Sequence, residues 1–332
     1  MRCVQMTAIG GPEVLRVEDS TAAEPGPRQA KVKISAAGIN PIDTKIRSRG
    51  LFSSDASLPA VLGCDGAGVV EAIGEGVERV SPGDRVFYFN GGIGFDPGNY
   101  AEYAVVDERC LAIIPQNIDH VTAAATPLAA LTAWEGLFDR GRLGGEETVL
   151  IHAGAGGVGH LAIQLASETG ARVLTTVSDD KKECFVGELG ADEVIRYRER
   201  DFVDVALELT DGEGVDLVLD CVGGETCARS LHALATYGRL VTILALPEGL
   251  DWQHARMHNL SVAQELMLTP MVLGRMDLRE HQTSILEAMA TRLAAGRVKV
   301  HVEKTWPLER AEEAHRYLEA GGVMGKLALT ID

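Results

Sequence analysis

The sequence predicts an α/β protein in which a doubly wound parallel sheet is joined to an antiparallel, barrel-like β domain. Three observations predict it. The apolar run Thr148-Val149-Leu150-Ile151 leads into His152-Ala153-Gly154-Ala155-Gly156-Gly157-Val158-Gly159, which reads as a strand turning through glycines into a helix. Behind it, near-continuous apolar runs alternate with helical stretches, as in a parallel sheet covered on both faces. Ahead of it, short alternating runs are broken by Pro25-Gly26-Pro27 and Pro82-Gly83-Asp84, where proline presets a turn and glycine takes positive φ.

Taken in order, Arg2 to Ile9 is strand-like, and Ala30 to Ala37, Gly66 to Ile73, Arg85 to Tyr88 and Ala101 to Val106 alternate as short strands. Trp134 reads as core packing of the helix that joins the domains. After the glycines, Leu161 to Thr169 continues as helix and Gly170 stands where a C-terminal cap belongs. Arg172 to Val177, Glu193 to Tyr197, Val215 to Val222 and Gly238 to Leu244 are the further strands, separated by helices such as Lys181 to Leu189 and Cys227 to Ala235. Asn259 to Leu266 is an apolar strand at the far end of that sheet. Val298 to Trp306 and Lys326 to Ile331 flank an amphipathic helix, Leu308 to Glu319, and have no sheet of their own. They are expected to return to the N-terminal domain. The expected boundaries are residues 1–122, completed by 270–332, around a nucleotide domain at 123–269, with the active site in the cleft between domains.

Composition narrows the function. A chain of 332 residues holds two full cores, and its longest apolar runs are strand-sized, so no membrane span is expected. A net charge of −17 argues against nucleic acid or an anionic membrane as partner. The six cysteines form no C-x-x-C pair, and the N-terminus lacks the pattern of a secretory signal, so the expected location is the cytoplasm.

The glycine turn offers free backbone N–H groups and a helix dipole to a pyrophosphate. Where an NAD-selective fold has an acid at the end of the second strand, this chain has Val177-Ser178, with Lys182 one turn on. A hydroxyl and a cation suit a 2′-phosphate, although Asp179 and Asp180 bring negative charge close.

Gly11-Pro12-Glu13-Val14-Leu15, Ala37-Gly38-Ile39-Asn40-Pro41-Ile42-Asp43, Gly66-Ala67-Gly68-Val69-Val70, Gly83-Asp84-Arg85-Val86, Tyr100-Ala101-Glu102-Tyr103, Leu131-Thr132-Ala133-Trp134, the glycine turn and Gly325-Lys326 follow one another in a family's order. In these motifs the chain resembles the medium-chain dehydrogenase/reductase superfamily and, within it, the zinc-independent, zeta-crystallin-like quinone oxidoreductases. The resemblance implies a GroES-like catalytic barrel, a Rossmann domain, NADPH, a homodimer or tetramer, and hydride transfer to a quinone. The same site in a reductase of α,β-unsaturated aldehydes or ketones, or an NADPH-binding protein of low turnover, are the alternatives it leaves open. It places Asn40 and Asp43 on the substrate side and Thr132 near the nicotinamide. The implied cofactor contacts are Ala153, Gly154, Gly156, Gly157, Val158, Gly159, Ser178, Lys182, Tyr197, Cys221, Leu244 and Lys326. Zinc alcohol dehydrogenases of the superfamily have a cysteine where Asn40 stands, a His-Glu pair at Cys64-Asp65 and a cysteine near Pro127, so no metal is expected. Cys64 is then a small buried hydrophobe and Asp65 a turn residue, the alternative being a degenerate site of Asp43, Cys64 and Asp65. Tyr88, Asn90 and Tyr100 are either donors to a quinone oxygen or turn and core residues, Thr132 is alternatively a helix residue bonding back to its own backbone, and His152 reads as a satisfied buried histidine.

Overall fold

The computed structural model describes residues 1–53 and 56–332, and the chain divides into two compact units, Met1–Leu128 with Leu268–Asp332, and Ala129–Met267. The first unit opens with β1 (Arg2–Met6), β2 (Leu15–Asp19), β3 (Gln29–Ile39), α1 (Pro41–Arg49), β4 (Ala60–Val61), β5 (Asp65–Ile73), β6 (Arg85–Phe89), β7 (Tyr103–Asp107), β8 (Ala112–Ile113) and α2 (His120–Ala124). Helix α3 (Pro127–Trp134) leads the chain into the second unit. There follow β9 (Thr148–Ile151), α4 (Gly159–Thr169), β10 (Arg172–Val177), α5 (Asp180–Gly187), β11 (Glu193–Arg196), α6 (Phe202–Leu209), β12 (Val215–Asp220), α7 (Gly224–Ser230), β13 (Leu234–Thr242), α8 (Trp252–Met257) and β14 (Ser261–Gln264). Back in the first unit come α9 (Thr269–Val272), α10 (Met276–Ala294), β15 (Val302–Pro307), α11 (Ala311–Glu319) and β16 (Lys326–Thr330).

The second unit is a six-stranded parallel sheet in the order β11-β10-β9-β12-β13-β14. Its central strands are apolar on both faces because helices cover both. Leu150, Leu174, Val218 and Leu240 are sealed from water with Phe202, Cys227 and Leu231 from the covering segments. The order in which the chain adds strands reverses between β9 and β12, which stay parallel, the point where connections part to leave a crevice in such sheets. Gly170 closes α4 in the left-handed conformation at φ 90, as a C-terminal cap requires.

In the first unit, β3 is the spine. It pairs antiparallel with β5 along most of its length, with β7 near its start and with β16 near its end, where Leu327 faces Ile39. The C-terminal strands therefore do return to the N-terminal domain. Among the described residues, no helix is long and apolar enough to cross a membrane.

Several elements differ from their expected limits. The first strand stops at Met6, because its partner there is Leu15, the first residue of β2, and the chain then leaves the ladder toward the 3-10 segment Pro12–Val14. The helix expected over Cys227 to Ala235 is instead α7 followed by a 3-10 turn at Leu231–Ala233, and β13 begins at Leu234 rather than Gly238. A register shift between Val215 and Leu217 of β12 accommodates that early start. Ala101 forms an isolated bridge to Cys3, and β7 starts at Tyr103.

At Gly68, opposite Ile34, a Cβ would lie 2.0 Å from the Lys33 carbonyl oxygen, a backbone atom that cannot swing away. Gly68→Ala should cost about 1–3 kcal/mol by overpacking. Urea unfolding with an unchanged midpoint would contradict this account of the β3–β5 pairing.

Candidate functional site

In the first unit, chemistry gathers where β3 ends. Asn40 is the N-cap of α1, Pro41 follows it with a preset φ, and the Asp43 carboxylate reaches back to accept the Asn40 backbone N–H at 2.8 Å. The Asn40 side chain is held at both ends. Its Nδ2 donates to Asp65 Oδ2 at 2.9 Å, and its Oδ1 accepts from Lys326 Nζ. Asp65 Oδ1 accepts the Leu128 N–H at 2.9 Å, near the start of α3. Asp43 also accepts from the Tyr100 hydroxyl at 3.1 Å, and that oxygen lies 3.1 Å from His315 Nε2. The Cys64 thiol points at Asp43 Oδ1, 3.7 Å away. A groove of about 600 Å³ elsewhere on this unit, lined by Gln5, Gln29 and Tyr103, contains none of these residues.

Burial sets the electrostatics of this cluster. Loss of water raises the Asp43 carboxyl to about 7, aided by the Asp65 charge and opposed by the Asn40 N–H and the Tyr100 hydroxyl. Burial likewise pushes the Asp65 carboxyl up and the Lys326 ammonium down, and each is drawn back by the other's charge at 3.8 Å. The Cys64 thiol is pushed well above its ordinary value by burial and the two neighbouring carboxylates. Burial lowers His315 to about 3, with Arg47 contributing.

These residues do not fit a zinc ion. Zinc needs three or more thiolate, imidazole or carboxylate donors turned to one point. Here one such position is an amide, the thiol is held protonated, and a lysine ammonium already stands against Asp65 and Asn40. Among the described residues, no group of three His, Cys, Asp or Glu side chains is placed to hold a metal.

The second unit brings the other predicted residues to one edge of its sheet. The glycine turn follows β9, Ser178 follows β10, Tyr197 follows β11, Cys221 follows β12 and Leu244 lies two residues beyond β13. All are at carboxyl ends of parallel strands. The turn fits a phosphate closely. Ala153 takes φ 55, and Gly156 N–H closes the turn on its carbonyl at 2.9 Å. A Cβ on Gly154 would meet Thr175 Oγ1 at 2.0 Å, and one on Gly159 the Ala153 carbonyl oxygen at 2.3 Å, so both must be glycine. At Gly156 the nearest atom to such a Cβ is 3.2 Å away, so backbone is open to a ligand there. Among the described residues, the N–H groups of Gly157 and Val158 have no protein acceptor.

His152 supports the turn. Its Nδ1 lies 3.1 Å from Thr176 Oγ1, which also accepts the Ala153 N–H at 3.1 Å, and its Nε2 lies 3.0 Å from Ser230 Oγ. Desolvation lowers it to about 4, so it stays neutral, and both nitrogens are satisfied. At the end of β10, Lys182 Nζ donates to Ser178 Oγ at 3.1 Å. The Ser178 hydroxyl in turn donates to Asp179 Oδ2 at 2.7 Å, and Asp179 caps α5.

Two predicted residues sit differently from their expected surroundings. Asp65 is the buried first residue of β5, not a turn residue, because its carboxylate ties three segments together. Lys326, implied as a cofactor contact, has its ammonium on Asn40, Asp65 and the Ile39 carbonyl. Thr132 is buried within α3. Tyr88, Asn90 and Tyr100 are all buried; Asn90 Oδ1 accepts from Arg279 at 2.7 Å, and Tyr100 is engaged with Asp43 and His315. Sequence reasoning missed His315, Ser230 and Thr176, for which adjacent sequence carries no signal.

Comparison with known proteins agrees with the fold of both units. Residues 26–116 match the profile described as alcohol dehydrogenase GroES-like domain, and 189–329 that described as zinc-binding dehydrogenase. A quinone oxidoreductase of Pseudomonas aeruginosa is 37% identical over 98% of both chains. Among solved structures, an Escherichia coli quinone oxidoreductase complexed with NADPH superposes with a TM-score of 0.88 at 34% identity, covering 99% of this chain and 100% of that one. An NAD-dependent alcohol dehydrogenase superposes with a TM-score of 0.91 at 34% identity over 100% of both.

The raised Asp43 carboxyl has a definite sign. It binds its proton more tightly folded than unfolded, so its stabilising contribution is complete below about pH 4 and is lost as pH rises through about 7. Between pH 5 and 8 the urea midpoint of the unmodified protein should therefore fall relative to that of Asp43→Asn, with all nine histidines common to both. Parallel profiles would show that Asp43 does not titrate there.

Proposed function

We propose that this chain, which belongs to the quinone oxidoreductase family of the medium-chain dehydrogenase/reductase superfamily, is an NADPH-dependent, zinc-independent reductase of quinones. The observation that carries the reading is the set of phosphate-binding groups at adjacent strand ends: the glycine turn after β9, and the Ser178 hydroxyl with the Lys182 ammonium after β10. The first would hold the pyrophosphate on its free N–H groups, and the second would hold the 2′-phosphate.

NADPH, when bound, supplies the hydride, and one proton from water completes the two-electron reduction of a quinone to its hydroquinone. The protein's part is to bind and orient. Tyr197, Cys221 and Leu244, which follow neighbouring strand ends, would hold the cofactor along the sheet edge, and Thr132 would serve its nicotinamide end. Asn40 and Asp43 form the substrate side, with Asn40 as hydrogen-bond donor and Asp43 as the residue that fixes the N-cap geometry of α1. No carbonyl-polarising metal is needed, because a quinone accepts hydride readily once positioned. All six cysteines are free, as suits a cytoplasmic protein. The chain works as a homodimer built on β14, which among the described residues pairs with β13 alone and is followed by the exposed Leu266.

Steady-state NADPH oxidation against quinones, alkenals and no acceptor tests the activity. Quinones should give the largest kcat/KM, and chelation should leave it unchanged. Lys182→Ala should raise the KM for NADPH roughly tenfold and leave that for NADH alone, since a charge-assisted contact contributes about 1.5–3 kcal/mol. Asp179→Ser, which keeps a helix cap but removes a carboxylate from Ser178, should act in the opposite direction. Equal efficiency of the unmodified protein with both cofactors refutes the NADPH assignment, and zinc-restored activity refutes the metal-free one.

Light scattering at micromolar concentration should give twice the chain mass. A monomeric mass would exclude β14 as a dimer edge.

A further inference from the structure

Lys326 and Asp65 are buried together, 4% and 0% exposed, and their charges stand 3.8 Å apart. The ammonium donates to Asn40 Oδ1 and, at 3.4 Å, to the Ile39 carbonyl, while Asp65 takes Asn40 Nδ2 at 2.9 Å. An amide turned by 180° exchanges its oxygen and nitrogen. Turned that way, Asn40 would set its NH2 against an ammonium and its oxygen against a carboxylate, and both contacts would be repulsive. The ion pair therefore fixes which end of the amide is oxygen. It also fixes where the second Nδ2–H points, a hydrogen that no bond to Asp65 consumes.

We propose that Lys326, acting with Asp65, is a positioning residue that locks the Asn40 amide so that its second Nδ2–H is presented to the quinone oxygen. The proposal rests on the reading of Asn40 as a substrate-side donor. It replaces the role of Lys326 as a cofactor contact, and it accounts for a buried lysine whose donors are spent on the protein rather than on a ligand.

Lys326→Met alone strands a buried carboxylate and risks unfolding, so the test pairs it with Asp65→Asn, which removes both charges together. In the full-length enzyme the pair should lower kcat/KM for the quinone about tenfold, while the Kd for NADPH, read by its fluorescence, changes less than twofold. Added to Asn40→Ala, the same pair should produce no further loss, because the residue through which it acts is already gone. The side-chain amide of Asn40, assigned in a nitrogen-15 spectrum by its loss in Asn40→Ala, should be slow to exchange in the unmodified protein and fast in the paired variant. A tenfold weaker NADPH Kd would return Lys326 to the cofactor and overturn the proposal. An equal further loss in the Asn40→Ala background, or an amide that does not respond, would also overturn it. If the amide responds but Asn40→Ala leaves quinone kinetics intact, the clamp is real and structural only, and it is the substrate-side reading of Asn40 that has failed.

Discussion

A carboxylate that cannot reach water dictates much of the first unit. Asp65 is sealed at the first residue of β5, and a buried charge persists only if the protein itself supplies its partners. It finds three: the Asn40 amide, the Leu128 N–H and the Lys326 ammonium. Each comes from a different element, so satisfying one carboxylate brings the start of α1, the start of α3 and the last strand to one point. The backbone must come close for this to happen. A Cβ on Gly38 would lie 2.4 Å from the Ala124 carbonyl oxygen and 2.9 Å from Asp65 Cβ, which is why β3 carries a glycine just before its end.

The second unit meets its requirement through the backbone. Parallel strands end together, so the residues that follow them share an edge whatever their separation in sequence. That is how Ser178, Tyr197, Cys221 and Leu244 come to stand along the same edge as the glycine turn. Side chains then hold the turn rather than form it. Thr175 packs beneath Gly154 and donates to the Ile151 carbonyl at 2.7 Å, and His152 is pinned between Thr176 and Ser230.

This difference decides what could be read from the chain. The parallel sheet and the glycine turn are legible because their signals are local: a run of apolar residues, a glycine at each position where a Cβ would collide, a cap at Gly170. The return of the last strands was legible from the lack of any sheet for them to join. The Asp65–Lys326 pair was not, since it spans most of the sequence and neither residue has a local pattern that announces it. Asp65 precedes Gly66 and so reads as a turn, whereas its environment is made by segments far away. The same holds for Tyr100 and His315, which meet through a single oxygen. Strand limits such as the early start of β13 also lay beyond reach, because a register shift against β12 sets them.

The buried lysine bears on the chemistry as well. A divalent metal with an open coordination position draws electrons from a substrate oxygen directly, whereas the Lys326 ammonium is committed to Asn40 and to the Ile39 carbonyl and stands opposite Asp65. A fixed monocation of this kind organises the donors around it and does not itself polarise the acceptor. Strong activation of a reluctant carbonyl is therefore not what these residues are built for. An acceptor that already takes hydride easily, and needs mainly to be held and to receive one hydrogen bond, matches them better, and a quinone is such an acceptor.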